Sequence, residues 1–409
     1  MIMDIVVKAP VLLTLQGGLR KREMLKELSI IKNAYVGITK GRIEKVSKSR
    51  ISGKKRILAQ GAVMPGFVDP HTHLIFAGSR SDEFSLKIQG KTYQEILEGG
   101  GGILSTVKAT RKAGKKELFL KAFADLNKML SHGTTTAEIK SGYGLDIMTE
   151  AKILEVAKEL NEKHPVDIVP TFMGAHTIPE ESRKDRESYV RNIIEKMIPL
   201  VSKKKLARYC DVFCDTNAFT LGEARRILQC AAKNGLRIKI HAEQFSAFGG
   251  AQLASELGAI SAEHLDWISD TGIESIKKGN VIAVLVPTAV YHLMLSKYAP
   301  AREMIGKGVA VALATDYNPG SSPCLSMQEA IAIACRQMKL LPEEAIAAAT
   351  INAAHAIGVQ RDVGSIEEGK KADMIILDTM DYRDIAYRFG ENHVSTVIKE
   401  GRVIVQRRP

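Results

Sequence analysis

What the 409-residue chain lacks narrows its class first. No apolar run approaches the roughly 20 residues that a membrane-crossing helix needs, which excludes a helical membrane protein. The first residues, Met1-Ile2-Met3-Asp4-Ile5-Val6-Val7-Lys8, place an acid in a short apolar stretch with no base before it, so no secretory leader is expected there. Cysteines number five, and an odd count in so long a chain argues against a disulfide framework and for a reducing, cytoplasmic setting. Cys210 and Cys214 look paired by spacing, but on one strand their Cα atoms would lie about 13 Å apart, beyond disulfide reach. Also missing are an arginine-rich arm, an RNA-binding aromatic motif and zinc-finger spacing. The formal charge of +12 is spread over dispersed lysines, with only short runs such as Lys203-Lys204-Lys205 and Lys370-Lys371. It reads as a solvated surface with no nucleic-acid and no membrane partner, of some benefit to an anionic substrate.

What is present is a globular composition, 45% hydrophobic and 25% charged. From Ile5 to about Leu58 apolar residues come in short alternating runs, and Lys40-Gly41 between Ala34–Thr39 and Arg42–Val46 predicts a hairpin turn. The same texture returns in Ala372–Asp378 and Thr396–Val405, so the two chain ends are expected to build one small sheet together. Between them short β-branched runs alternate with helical patterns such as Glu150–Leu160, the rhythm of repeated βα units. After a strand ending at His71, strands are expected at Thr134–Ile139, Ile168–Gly174, Cys210–Phe213, Ile238–Ala242, Ile260–Glu263, Val281–Val286 and Val309–Ala314. That count predicts an α/β fold: a (β/α)8 TIM-type barrel over 63–360, with a small β-sandwich made from 1–62 and 361–409.

In such a barrel the chemistry belongs at the carboxyl ends of the strands. His71 and His73, at i, i+2 on a strand, point to one side. The other expected strand ends carry Lys140 and Tyr143, His176, His241, His264 and Asp316. His71, His73, His241 and Asp316 together offer nitrogen and oxygen donors suited to zinc or another divalent transition metal. Gly99-Gly100-Gly101-Gly102, followed by Ser105-Thr106, lacks the G-x-x-x-x-G-K-[ST] order of a phosphate loop and reads as a flexible loop near the mouth. His132, His164, His292, His355 and His393 fall away from the rim and are expected to be structural.

At this point the chain resembles the amidohydrolase superfamily over nearly its whole length. The resemblance rests on Pro65-Gly66-Phe67-Val68-Asp69-Pro70-His71-Thr72-His73, Glu138-Ile139-Lys140-Ser141-Gly142-Tyr143-Gly144-Leu145, Thr171-Phe172-Met173-Gly174-Ala175-His176, His241-Ala242-Glu243-Gln244, Ser261-Ala262-Glu263-His264-Leu265 and Ala314-Thr315-Asp316-Tyr317-Asn318-Pro319-Gly320-Ser321-Ser322-Pro323. The second and last of these narrow it to the histidine-degradation branch that opens the cyclic amide of 4-imidazolone-5-propanoate. The resemblance implies hydrolysis to N-formimidoyl-L-glutamate, one divalent metal per chain, zinc or iron, and a homodimer. It further implies that His264 polarises the carbonyl or moves a proton, and that Asp316 passes a proton to the departing nitrogen. Arg80 would pair with the propanoate, with Tyr143, His176 and Tyr93 adding hydrogen-bond donors. Gln244 stands where other members have glutamate. An amide cannot act as a base, so Gln244 is expected to bind substrate, as are Asn318, Gly320 and Ser321. The rival readings are a cyclic amidohydrolase or aminohydrolase acting on another ring, and a metal-binding scaffold without activity.

Overall fold

The computed structural model describes residues 2–91, 95, 101–216 and 218–407. Five strands come first: β1 (Met3–Leu13), β2 (Ile30–Thr39), β3 (Arg42–Ser47), β4 (Gly53–Leu58) and β5 (Ala62–Pro65). The barrel strands follow: β6 (Phe67–Asp69), β7 (Thr134–Lys140), β8 (Asp167–Ala175), β9 (Tyr209–Cys214), β10 (Arg237–Ile238) and β11 (Ile240–Ala242), β12 (Ser261–His264), β13 (Ile282–Leu285) and β14 (Val311–Leu313). The chain ends with β15 (Met374–Leu377), β16 (Val394–Lys399) and β17 (Arg402–Gln406).

The terminal strands form one sheet in the order β17-β16-β15-β5-β1-β2-β3, with β4 paired to β1 beside β5. Lys40 and Gly41 make the expected hairpin turn with φ of 49° and 78°. Two positive φ values are what a two-residue turn matched to strand twist requires. The two layers expected of a sandwich are therefore parts of a single hydrogen-bonded sheet. It folds over so that Val7, Ala34 and Ile43 from one arm share a core with Met374, Ile376 and Ile398 from the other. Continuity arises because β1 runs for 11 residues and bonds β4 through Met3–Lys8, then β5 through Val11 and Leu12.

The central strands are parallel, each paired to the next from β6 to β14. β10 and β11 are one stave interrupted at Lys239, whose N–H still donates to Cys210 O at 3.0 Å. The ring is drawn together where its two ends meet. Asp316 N donates to His71 O at 3.0 Å and His73 N to Tyr317 O at 2.9 Å, while Asp69 accepts from Thr315 N at 3.1 Å. Those bonds place the first and last motifs side by side. Cys210 and Cys214 lie on β9 as buried free thiols.

The helices wrap the barrel with their apolar faces inward. Ile147–Lys163 shows why: the Asp146 side chain caps Thr149 N, and Ile153, Leu154, Val156, Ala157 and Leu160 are buried along one stripe. Each such leucine or isoleucine contributes about 1.5–3 kcal/mol of burial. The same helix carries Glu150 inward to the loop after β7.

Candidate metal centre and substrate pocket

Beyond β6 the chain stays extended, so Thr72 turns outward and its hydroxyl donates to Glu138 O at 2.6 Å. His71 and His73 consequently turn inward together, both buried. Their Nε2 atoms lie 3.3 and 3.7 Å from Asp316 Oδ1. The His241 ring centre is 4.4 Å from that of His71, and the His264 ring centre 5.1 Å from that of His241. His71, His73 and Asp316 bring ligand atoms within 4.8 Å of one another, and so do His71, His241 and His264. Three expected ligands, His71, His73 and Asp316, thus form one triplet, and the fourth, His241, joins His71 in a second whose third member is His264, expected to be catalytic.

These residues fit a metal ion. The Nε2 of His241 and the Nδ1 of His264 are buried with no hydrogen-bond partner, and a buried polar atom left unpaired needs a ligand to satisfy it. Burial holds His264 down to about 3 and His73 well below the usual histidine range, so both are the neutral imidazoles a metal requires. Burial also opposes a charge on His71, yet Glu263 and Asp316 beside it outweigh that and push it up to about 9. A cation belongs against its Nε2.

The backbone is bent to deliver two of these groups. His264 and Asp316 have φ of 72° and 52°, left-handed values rare outside glycine. Such residues cost on the order of 1–3 kcal/mol each and persist only where the surroundings hold them. Leu265 N bonded to Ala242 O at 3.1 Å supplies part of that hold.

Above the metal residues lies a polar wall. Glu150 accepts from Gly142 N, Gly144 N and Leu145 N at 3.1, 2.7 and 2.9 Å, shaping the loop that carries Tyr143. Tyr143 is buried with its ring centre 5.8 Å from that of His73 and 5.4 Å from that of His176. His176 stacks on His73 at 4.7 Å. Its Nδ1 lies 3.1 Å from Gly142 O, an acceptor that demands the proton on Nδ1. Burial holds His176 down to about 4. Its free Nε2 is therefore an acceptor, where the sequence led us to expect a donor.

Arg80 is a fixed cation, its side chain only 11% exposed. Its Nε and Nη2 donate to Glu83 Oε2 at 2.8 and 2.7 Å. Glu83 Oε1 in turn accepts from Gly102 N at 2.9 Å. A Cβ at Gly320 would collide with Arg80 Nη1, so glycine there is what lets the arginine cross the loop after Asp316. Ser321 Oγ donates to Asp316 Oδ2 at 3.3 Å. Asn318 is spent on the loop itself. Its Nδ2 donates to Asp316 O and Ser321 Oγ, and its Oδ1 accepts from Gly320 N and Ser321 N. It shapes the loop, and its side chain has little left for a ligand. Gln244, three residues after His241, is buried. Tyr93 and Gly99–Gly100 lie outside the described residues.

Three buried carboxyls escaped the sequence reading. Asp211 Oδ2 lies 2.9 Å from His241 Nδ1, and Glu263 Oε2 2.6 Å from His71 Nδ1. Asp266 is buried two residues past His264, which pushes its carboxyl well above the usual range, and its Oδ1 has no partner. A signal was available for Asp211, a lone carboxylate inside the apolar strand Cys210-Asp211-Val212-Phe213.

With the geometry in hand, relatives can be compared. A family model described as "Amidohydrolase family" matches residues 62–404. Imidazolonepropionase of Alkaliphilus metalliredigens (strain QYMF) is 44% identical over 100% of this chain and 99% of its own. That of Geobacillus kaustophilus (strain HTA426) is 48% identical over 94% of this chain and 93% of its own. Among solved structures, a 5-methylcytosine deaminase from Klebsiella pneumoniae liganded with phosphonocytosine superposes with a TM-score of 0.75 at 14% identity, covering 99% of this chain and 98% of that one. An adenosine deaminase from Xanthomonas campestris with bound zinc gives 0.72 at 16%, covering 99% and 93%. At such identities the structures speak for the fold, while the sequence relatives speak for the branch. The chain belongs to the amidohydrolase family and, within it, to the imidazolonepropionases.

Proposed function

We propose that this chain hydrolyses the cyclic amide of 4-imidazolone-5-propanoate to N-formimidoyl-L-glutamate, with one divalent metal, zinc or iron, held by His71, His73, His241 and Asp316. The observation that carries the reading is the anchored guanidinium of Arg80 beside the loop that follows Asp316. Glu83 takes Nε and Nη2, and Nη1 points to the loop at Gly320, where a propanoate would pair with it and a neutral ring would not.

Bound by these four residues, a divalent ion would lower the pKa of water toward neutrality and polarise a carbonyl. The chain's own groups do the rest. Asp316, aligned by Ser321, accepts a proton as water adds to the ring carbonyl carbon, and delivers it to the ring nitrogen as the C–N bond breaks. His264 sits across from Asp316 to orient and polarise the carbonyl oxygen. Arg80 binds the propanoate, Tyr143 donates to the substrate, and the Nε2 of His176 accepts a ring N–H. Gln244 contributes hydrogen bonds without taking a proton. The homodimer and the cytoplasmic setting belong to the same reading. No helix among the described residues is long and apolar enough to cross a membrane.

The test is turnover of 4-imidazolone-5-propanoate by purified protein of known metal content, with the product identified by mass. Hydrolysis to N-formimidoyl-L-glutamate is expected at one metal per chain. A fully loaded protein that leaves this compound intact would overturn the proposal.

A further inference from the structure

Under the metal residues lies a closed layer of five charged side chains, Glu138, Lys140, Asp211, Lys239 and Glu263, all without solvent exposure. Lys140 Nζ lies 2.9 Å from Glu138 Oε2, 2.7 Å from Asp211 Oδ2 and 2.8 Å from Glu263 Oε2. Lys239 Nζ lies 2.6 Å from Glu138 Oε2, 2.6 Å from Glu263 Oε1 and 3.1 Å from Pro70 O. An ammonium has three protons to donate, and each lysine meets three acceptors. Neither has a donor to spare or touches the space above.

The carboxylates are equally committed. Asp211 takes Lys140 and His241 Nδ1 on one oxygen and His241 N on the other. Glu263 Oε2 lies 2.8 Å from Lys140 Nζ and 2.6 Å from His71 Nδ1, while its Oε1 lies 2.6 Å from Lys239 Nζ and accepts from Ser261 Oγ at 3.1 Å. The remaining oxygen of Glu138 receives Thr171 Oγ1. Buried carboxylates ordinarily take up a proton, since burial penalises charge. Here each one instead has an ammonium within 2.9 Å: Glu138 and Glu263 face both lysines, and Asp211 faces Lys140.

We infer that Lys140 and Lys239 are positioning residues for the metal, acting through Glu263 and Asp211. The oxygen of each carboxylate that faces an imidazole Nδ1 also faces the Lys140 ammonium, 2.7 Å away at Asp211 Oδ2 and 2.8 Å at Glu263 Oε2, so it is an acceptor for both. His71 and His241 must then hold their protons on Nδ1, and each turns the lone pair of Nε2 toward the mouth. The layer also sets the charge there. Two lysines against three carboxylates leave one net negative charge, and Asp316 adds another, which matches a divalent ion. Lys239 touches no histidine and bears on the site through Glu263, through Glu138 and through the Pro70 carbonyl that precedes His71.

This inference deepens the proposed metal site and rests on it. The experiment measures zinc affinity by competition with a chelating indicator in wild type, Lys239→Met, Glu263→Gln and the double variant, with apo-protein melting beside each. Glu263→Gln turns one of the two acceptor oxygens into an NH2 group, so either His71 with Lys140 or Lys239 loses its acceptor, and the Nδ1–H of His71 is no longer enforced. Zinc affinity should fall 10- to 100-fold in each single variant, the range seen when partners of metal-bound histidines are removed. The double variant removes one charge of each sign, so it keeps the layer's net charge and gives a folded protein to measure should Lys239→Met fail to fold. It should fall by less than the product of the two single effects, because the two residues share one contact. Histidine ¹⁵N shifts of zinc-loaded wild type should show Nδ1–H at His71 and His241. Wild-type zinc affinity in folded Glu263→Gln, or Nε2–H in the loaded wild type, would overturn the inference. If the wild type itself bound no zinc, the metal site would fail instead.

Discussion

β7 and β4 make an instructive pair. β7, Thr-Thr-Thr-Ala-Glu-Ile-Lys, and β4, Gly-Lys-Lys-Arg-Ile-Leu, are both short, rich in polar side chains and poor in large apolar ones. Yet every residue of β7 is buried, while Lys54, Lys55 and Arg56 of β4 are exposed. The difference lies in the partners. Glu138 and Lys140 of β7 have an opposite charge within 2.9 Å, so the cost of burial is offset, whereas Lys55 and Arg56 have water. A charge inside the barrel is part of a counted set. Lys55 and Arg56 on β4 are two of many surface charges and are replaceable.

The sharpest way to break that comparison is to remove a side chain from the counted set. His241→Ala should abolish both metal binding and turnover, because it deletes a nitrogen whose only evident partner would be the ion. Metal content measured on the purified variant decides it, and a full complement of metal would remove His241 from the ligands. Next in size is Arg80→Ala. Losing a buried charge-assisted pair costs a few kcal/mol, so kcat/KM for the propanoate substrate should fall by roughly two orders of magnitude while metal stays bound. A ring analogue without the propanoate should be little affected. Equal slowing of both compounds would mean that the arginine does not read the carboxylate.

Eight staves, their helical connections and the meeting of His71, His73, His241, His264 and Asp316 were legible because each announces itself locally. Period-two runs mark strands, and a histidine at the end of such a run has a known direction. What stayed hidden depends on contacts across the fold. Glu263 and Lys239 resemble the solvated charges of β4 until β7, β9 and β12 are brought beside one another. The acceptor character of His176 comes from Gly142 O, far away in sequence. The terminal strands and their union in one sheet were legible from the texture that the two chain ends share, but the seam, β5 bonding β15 across most of the chain, was not.

A smaller effect is expected at Gly320. Alanine there would force Arg80 off its present path without removing it. Gly320→Ala should raise KM for the propanoate substrate about 10-fold and leave kcat closer to wild type, the pattern of lost binding common to ground and transition states. An unchanged KM would show that the arginine reaches the carboxylate by another route.

The smallest effect belongs to β4. Lys55 and Arg56 are exposed on the terminal sheet, and among the described residues their side chains make no hydrogen bond or ion pair. Surface substitutions away from such partners usually change stability by less than about 0.5 kcal/mol. Replacing both with serine should therefore leave zinc affinity, turnover and melting temperature as they are. Dispersed positive charge gives at most a weak, salt-sensitive attraction to nucleic acid, with no sequence preference, and the double variant should weaken even that. Binding to a labelled duplex, measured at low and at physiological salt, distinguishes the cases. Tight association at physiological salt that Lys55→Ser with Arg56→Ser abolishes would show β4 to be a built surface. The contrast with β7 would then be between two counted sets, one for a metal and one for a polyanion.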